Sequence, residues 1–458
     1  MAHRKVLFPQ GDNPPQADLY YGQDVRETLR SLPEGSVQTV VTSPPYWALR
    51  DYQGEPTVWG GDKTCAHDWE GAQLEGSYCQ KCGAWCGQLG LEPSPELYVA
   101  HMVEVFQEVR RVLRDDGTLW LNISDTYFAG GSTTTYGQDP RNFEHNSTLE
   151  SKYTAGTHNR PVKPRKHTTL KAKDLVGIPW RVALALQEDG WWVRNDILWR
   201  KQNPLPSSVQ DRMSCTYEHV FLLSKSAKYF FDLDAIRVPH TYGEYAEDGS
   251  FSPTQQWHEE EGVIRKMDQT EGQLGTLAGP PRRNNRGVFN PRGKNPGDVW
   301  DFPTHPFSGA HFAVMPPVLS ERCLLAGSSE KGCCSECGAP YKRVITREKG
   351  SVDRPNHQYD PSRPEGMTLR GGRLKQGAVV DMRWDATCEC DAPISRCTVL
   401  DPFSGSGTTG MVALRRGRHY LGIDLNESYL NMAEERVRGD SYTGERSKPP
   451  EGSVLDIF

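Results

Sequence analysis

Residues 42–47 read TSPPYW and follow the apolar run VQTVV. A strand that ends in a hydroxyl, two prolines and two large aromatic rings makes a rigid, partly apolar, π-rich mouth. Pro44 and Pro45 fix φ and remove two N–H donors, so carbonyls are presented from a stiff backbone. Far along the chain, TVLDPFSGSGTTG (398–410) sets Asp401 at the end of an apolar strand, with Gly405 and Gly407 before a helix that opens near Thr408. The glycines permit a tight turn and bring backbone amides close to a ligand, while Asp401 can accept hydrogen bonds from an amine. Asp424, in YLGIDLN, closes the next strand, at about the spacing where a fold of this kind holds ribose hydroxyls. The loop lacks the Gly-Lys-Ser/Thr of a phosphate P-loop and the spacing of the G-x-G-x-x-G fingerprint.

Two cysteine groups have the spacing of metal ligands. In CAHDWEGAQLEGSYCQKC, Cys79 and Cys82 form a C-x-x-C knuckle that Cys65 and His67 can complete to a tetrahedron, with Cys86 as an alternative to His67. Cys334 and Cys337, with Cys388 and Cys390, offer four thiolates across a long gap; Cys333 competes with Cys334, whose spacing to Cys337 is the better one. Neither group supplies an open position with a general base, so two structural zinc ions are expected. Cys215, Cys323 and Cys397 stand singly and are expected to be small buried residues.

These residues need a scaffold. The 458 residues leave room for about two to three domains. Gly 44 and Pro 33 point to much loop. A short strand, a helix around 24–31 and the strand ending at Thr42 form one α/β unit. A helix over 94–113 follows, with Ser94 as N-cap and Pro95 in its first turn, and DDGTLWLNI gives turn and strand. Another helix–strand pair spans 177–201, a strand covers 218–224, and the region from 398 alternates strand and helix again. The alternation predicts an α/β fold with a doubly wound, mostly parallel sheet. The expected organisation is one α/β half at 1–232, with a zinc-type insertion at about 60–90 and a polar loop at 125–172. An irregular region at 233–310, a second α/β half at 311–439 with a zinc-ribbon-like insertion at about 328–397, and a tail at 440–458 complete it.

Net charge is −6, so any nucleic-acid surface has to be local. NRPVKPRKHTTLKAK (159–173) and PPRRNNRGVFNPRGKNP (280–296) are basic without an acid. Lys163, Arg165 and Lys166 in the first, and Arg282, Arg283, Arg286 and Arg292 in the second, are candidates for phosphate or base-edge contacts. The first residues lack the apolar core of a signal peptide and no run reaches the ~18 apolar residues of a membrane span, so a cytoplasmic protein without a membrane partner is expected. Twelve cysteines then read as metal ligands or free thiols.

DPFSGSGTT resembles the S-adenosylmethionine motif of amino-methylating DNA methyltransferases, and TSPPYW resembles their catalytic motif. The order, catalytic motif first and cofactor motif last, is that of the β group. Further similarity runs through LPEGSVQTVVTSPPYWALRDY, DLVGIPWRVALALQEDGWWVRNDILWRKQNPLP and HFAVMPPVLSERCLLAGS, and is that of a zinc-containing, phage or restriction-modification branch. The resemblance implies the methyltransferase fold, S-adenosyl-L-methionine as cofactor and double-stranded DNA as substrate, with a cognate restriction endonuclease as candidate partner and the oligomeric state open. It makes 1–232 the catalytic half, with the loop at about 125–172 on the DNA side, 233–310 the target-recognition region and 311–439 the cofactor half. It implies that Ser43 Oγ and the Pro44 carbonyl accept the hydrogens of an exocyclic amine, that Tyr46 stacks on a flipped base and that Trp47 walls the pocket. Asp401, Pro402, Phe403, Gly405, Gly407, Thr408 and Asp424 are the implied cofactor contacts. Asp24 is either a contact to the cofactor adenine or only a helix N-cap. The segment 311–327 lacks the Thr-x-Lys-Pro of many relatives, so no lysine contact is carried over. Serine before Pro-Pro-Tyr accompanies N4 of cytosine more often, and aspartate N6 of adenine. N4-cytosine is therefore favoured and N6-adenine is the alternative, ahead of an RNA methyltransferase or a non-catalytic zinc-stabilised DNA-binding protein.

Overall fold

The computed structural model describes residues 2–7, 14–50, 52, 54–70, 76–128, 167–204, 206–239, 244–245, 251–252, 293–305, 314–347, 352–353, 373–374 and 379–439. Two compact units divide the chain. The first holds Met1–Asp232, Gly297–Lys342 and Ala386–Arg446, and the second holds Leu233–Pro296, Arg343–Asp385 and Ser447–Phe458. In the second unit, Val238 bridges Lys294, Arg237 Nη1 donates to the Gly293 carbonyl at 3.2 Å, and the Arg343 guanidinium lies 4.4 Å from the Trp384 ring centre.

The first unit is built on a nine-stranded sheet. Its strands are β1 (Ala2–Leu7), β2 (Gln16–Tyr21), β3 (Val37–Thr42), β4 (Leu113–Ile123), β5 (Trp192–Lys201), β6 (Tyr217–Ser224), β7 (Val299–Phe302), β8 (Thr398–Asp401) and β9 (His419–Asp424). The spatial order is β1-β2-β9-β8-β3-β4-β6-β5-β7. The run β2-β9-β8-β3-β4 is parallel throughout, β5 and β7 pair in parallel, and β1–β2, β4–β6 and β6–β5 are antiparallel. The mostly parallel α/β sheet expected from the sequence is therefore what the chain forms. Every residue of β3 is buried, as a strand covered on both faces requires.

Six helices cover the sheet among the described residues: α1 (Val25–Ser31), α2 (Pro95–Val112), α3 (Ile178–Glu188), α4 (Pro317–Gly327), α5 (Thr408–Arg415) and α6 (Leu430–Arg438). α1, α2 and α3 pack together in one layer, and α4, α5 and α6 in the other. In α2, Ser94 Oγ accepts from Leu97 N at 3.2 Å, Glu96 stands in the first turn, and Arg110 and Arg111 close the last, so both ends suit the helix dipole. Its buried Tyr98, Met102, Val105, Phe106 and Val109 recur every three or four residues and form its core face.

Two strands of the sheet lie where no sequence pattern announced them. β1 carries His3, Arg4 and Lys5 and is an edge strand held antiparallel to β2, with Arg4 paired to Glu434 of α6. β7 falls inside the interval 233–310, where irregular structure was expected. Only four residues long, it hides its alternation, with Trp300 and Phe302 buried and Val299 and Asp301 exposed. Among the described residues no helix is long and apolar enough to cross a membrane.

Candidate active site and cysteine clusters

Parallel neighbours place the two motifs side by side at the carboxyl edge of the sheet. Val399 and Leu400 of β8 are in register with Thr39 and Val40 of β3. Just beyond, Thr42 Oγ1 donates to Asp401 Oδ1 at 2.6 Å, and Phe403 N donates to the same oxygen at 3.1 Å. Asp424, at the end of β9, accepts from Gly405 N at 2.7 Å through Oδ2 and from Asn426 N at 2.9 Å through Oδ1. Burial pushes both carboxyls up to about 6, against the pull of these hydrogen bonds. Beneath the loop, Tyr21 OH donates to Ser404 Oγ at 2.8 Å, and Ser404 Oγ lies 2.8 Å from Tyr420 OH. Gly407 takes φ 75° directly before α5, and a Cβ there would come within 3.1 Å of Ala433. It turns the chain and packs α6, one step back from the residues that face the cavity.

The turn after β3 is tied down from three sides. Tyr98 OH, from α2, donates to the Pro45 carbonyl at 2.8 Å. Ser43 Oγ donates to Tyr46 OH at 3.1 Å, and Tyr46 OH donates to Glu218 Oε2 at 2.7 Å. Asn122 Nδ2 donates to the same carboxylate oxygen at 3.0 Å, and Lys201 Nζ pairs with Glu218 Oε1 at 2.6 Å. Burial, followed by the Glu218 charge, raises the Tyr46 phenol well above its ordinary value, so it stays protonated and donates. Trp47 departs from expectation. It is 1% exposed, its indole N–H donates to the Glu92 carbonyl at 3.0 Å, and it belongs to the core under the turn rather than to the pocket wall.

Both motifs open on one cavity of about 1110 Å³, mouth included. Ser43, Pro44, Pro45 and Tyr46 form one side of it. Asp401, Pro402, Phe403, Gly405, Thr408 and Asp424 form another. Asp24 joins them in lining the cavity and is also the N-cap of α1, its Oδ1 accepting from Arg26 N at 2.8 Å. Thr408 Oγ1, at the start of α5, is buried without a hydrogen-bond partner. A further wall comes from the first cysteine insertion, through Gly54, Thr57, Trp59, Gln88 and Leu89. Arg26 binds that wall to the helix layer: its guanidinium lies 3.8 Å from the Trp59 ring centre, and Nη2 donates to the Val58 carbonyl at 2.7 Å. His101 of α2 sits between Trp59 and Trp85, at 4.6 and 5.5 Å, with Nδ1 2.9 Å from Glu92 Oε1.

The ligand atoms of Cys65, His67, Cys79 and Cys82 lie within 4.8 Å of one another, and so do those of Cys334, Cys337, Cys388 and Cys390. Cys86 and Cys333 belong to neither group: Cys86 lies in the strand Trp85–Gly87, and Cys333 Sγ donates to the Arg396 carbonyl at 3.4 Å. Cys323 and Cys397 are buried as expected, but Cys215 is exposed. It lies in the polar segment before β6, 3.7 Å from Tyr127 OH, where no core reaches it. Lys163, Arg165, Lys166, Arg282, Arg283, Arg286 and Arg292 lie outside the described residues.

Glu218, Asn122 and Lys201 were not singled out in the sequence. The available signal was polar interruption of buried strands: Asn122 breaks the run in LWLNI, and Glu218 heads HVFLL at 8% exposure. Buried polar groups of this kind have partners, and here they have one another.

The acceptor-lined turn and the glycine loop with its two strand-end carboxylates thus meet over the carboxyl edge of the sheet, where folds of this kind bind their ligands. A family profile described as DNA methylase, that of the N6/N4 methyltransferases, matches residues 37–334 and 394–435. The type II methyltransferase M.SmaI of Serratia marcescens is 32% identical over 90% of this chain and 88% of its own length. M.Cfr9I of Citrobacter freundii, also a type II methyltransferase, is 31% identical over 93% of this chain and 88% of its own. The solved structure of the cytosine-N4-specific PvuII DNA methyltransferase aligns over 92% of this chain and 86% of its own, at 14% identity and a TM-score of 0.42. The chain belongs to the N6/N4 DNA methylase family and is a DNA methyltransferase of the amino-methylating kind.

Proposed function

We propose that this protein transfers the methyl group of S-adenosyl-L-methionine to the exocyclic N4 amine of a cytosine flipped out of double-stranded DNA. The observation that carries the reading is the opening of the Ser43–Tyr46 turn and the Asp401/Asp424 loop on a single cavity. The residues suit that cofactor. Asp401 and Asp424 accept from amine and hydroxyl groups, Phe403 gives a flat apolar surface, and the unpartnered Thr408 hydroxyl beside the start of α5 suits a carboxylate.

When bound, the cofactor supplies an electrophilic methyl group on a sulfonium. The base amine is a poor nucleophile because its lone pair is delocalised into the ring. Ser43 Oγ and the Pro44 carbonyl accept its hydrogens, which favours a more tetrahedral nitrogen, and Tyr46 holds the flipped ring by stacking. No strong base is needed, because the proton leaves after methyl transfer. Serine at position 43 supports the cytosine assignment.

Both cysteine groups suit structural zinc. In a tetrahedral site with Zn–S near ~2.3 Å the ligand atoms stand about 3.8 Å apart. Cys65 and Cys79 sulfurs are 3.9 Å apart, and Cys82 Sγ is 3.4 Å from His67 Nδ1. The part of 233–310 that precedes β7 is assigned to target recognition, and the basic stretches at 159–173 and 280–296 to DNA phosphates. The type II names of the relatives support a role beside a restriction endonuclease.

Incubating the purified protein with unmethylated DNA and S-adenosylmethionine, digesting to nucleosides and analysing by mass spectrometry tests the reading. N4-methylcytosine is the expected product. N6-methyladenine would move Ser43 to an adenine pocket, and DNA left unmethylated would overturn the reading.

A further inference from the structure

Glu218 divides its two oxygens between opposite demands. Oε1 takes the Lys201 ammonium at 2.6 Å, while Oε2 accepts from Tyr46 OH at 2.7 Å and from Asn122 Nδ2 at 3.0 Å. Asn122 is itself held in this orientation, because its amide nitrogen also donates to the His219 carbonyl at 3.1 Å. A phenol has one proton. That proton goes to Glu218 Oε2, the shorter of two acceptors, with Asn122 Oδ1 the longer at 3.3 Å; on either one the Tyr46 oxygen is left to accept, and it accepts from Ser43 Oγ at 3.1 Å. Ser43 in turn has one proton, and it is committed to Tyr46. What Ser43 Oγ offers the cavity is therefore acceptor capacity alone.

The polarity matters for an amine substrate. An amino group presents hydrogens to be accepted and a lone pair that has to attack. A serine donating into the cavity would compete for that lone pair. A serine that only accepts withdraws the hydrogens and leaves the lone pair to the methyl group.

We infer that Glu218 is a positioning residue that sets the direction of the chain Ser43 → Tyr46 → Glu218, and so makes Ser43 an acceptor toward the substrate amine. The inference rests on the amino-methyltransferase reading above. The antiparallel sheet provides the placement: β6 lies between β4 and β5, pairing Asn122 with Val220 and Arg200 with Tyr217. This register brings Asn122, Glu218 and Lys201 to one end of the three strands, beside the turn.

Glu218→Gln tests the claim with almost no change in shape. One oxygen becomes an NH2 group. Turned toward Lys201, it opposes an ammonium that can only donate; turned toward Tyr46, it opposes the phenol and the Asn122 amide. Either way a donor is left opposed, or the phenol reverses and the whole chain with it. In single-turnover methyl transfer at saturating DNA, Glu218→Gln should be slower by about 10- to 100-fold. Its affinity for the inert cofactor analogue sinefungin and its half-saturating DNA concentration should stay within about twofold of wild type. Adding Lys201→Met removes the ammonium, lets the NH2 face that side and returns a carbonyl oxygen to Tyr46, so Glu218→Gln/Lys201→Met should recover most of the lost rate. Tyr46→Phe, which keeps the ring and deletes the phenol, should be slow alone and no slower when combined with Glu218→Gln.

A Glu218→Gln protein as fast as wild type would overturn the inference alone. So would rate and cofactor affinity falling together, or a double variant no faster than Glu218→Gln. A wild-type protein that moves no methyl group to DNA would overturn the reading beneath it, and the inference with it.

Discussion

Cys65, His67, Cys79 and Cys82 gather in the insertion that walls the cavity, whereas Cys334, Cys337, Cys388 and Cys390 gather at the opposite end of the same strands. The second group is anchored where β3 and β4 begin: Gln38 Nε2 donates to the Gly338 carbonyl at 3.3 Å, and Arg114 donates to the Cys337 carbonyl. The six residues of β3 separate these two ends by about 20 Å. The knuckle Cys79–Cys82 joins the strands Ser77–Tyr78 and Trp85–Gly87, and the partner strand Thr57–Trp59 faces the cavity through Thr57 and Trp59. The pairs of the second group stand on either side of residues 343–385, which fall in the other compact unit. Related ligand sets, one of three cysteines and a histidine and one of four cysteines, thus stand at unequal ends. One cluster braces a pocket, and the other closes a long excursion of chain.

The contrast sorts the expected effects of substitution. The largest belongs to the carboxyl edge itself. Asp401→Ala removes an acceptor facing the cavity and leaves the Thr42 hydroxyl and Phe403 N–H without it, so calorimetric affinity for sinefungin should fall about 100-fold or more. Equal affinity in the variant would remove that loop from the cofactor site.

Acid should act at the same edge. Asp401 and Asp424 are each pushed up to about 6. Because these folded-state values lie above the ordinary carboxylate value, the ligand-free fold is favoured below about pH 4 and loses that contribution as pH rises through 6. Ligand donors favour the ionised carboxylates. Sinefungin affinity should therefore rise from pH 5 to pH 7 by about tenfold for each of the two that meets a ligand donor, and then level off. A flat profile would mean that neither carboxylate meets a donor of the ligand.

A smaller effect separates the clusters directly. Cys79→Ser should lower the bound zinc by one ion per chain and, through the wall that holds Trp59 and Gln88, weaken sinefungin binding several-fold, on the order of 1 kcal/mol. Cys337→Ser should also lose one ion, lower the melting temperature and leave cofactor affinity within about twofold. Equal losses of affinity in the two variants would erase the distinction between them.

Much of the site was legible because it stands at strand ends. Thr42 and Asp401 each close an apolar run, and the α/β alternation requires such ends to meet on one edge. The cysteine pairs were legible because ligand spacing is local. What escaped was set by register between distant strands: no local pattern brings Lys201 to Glu218, or Asn122 to Tyr46, 76 residues away in sequence. Trp47 escaped for another reason. Successive aromatics on a turn need not face the same way: both rings are buried, but Trp47 turns from the cavity toward the Glu92 carbonyl while Tyr46 lines it. The role of the first insertion as a pocket wall follows from packing of Trp59 on Arg26 and His101, contacts that leave no trace in spacing.

The most direct measurement is transfer of a labelled methyl group to DNA by wild type and Tyr46→Ala, with sinefungin affinity determined for both. Loss of base stacking, about 1–3 kcal/mol, together with loss of the phenol between Ser43 and Glu218, should slow Tyr46→Ala about 100-fold or more while cofactor affinity stays within about threefold. Undiminished transfer by Tyr46→Ala, or cofactor affinity lost in step with it, would contradict the division of the cavity into a base side and a cofactor side.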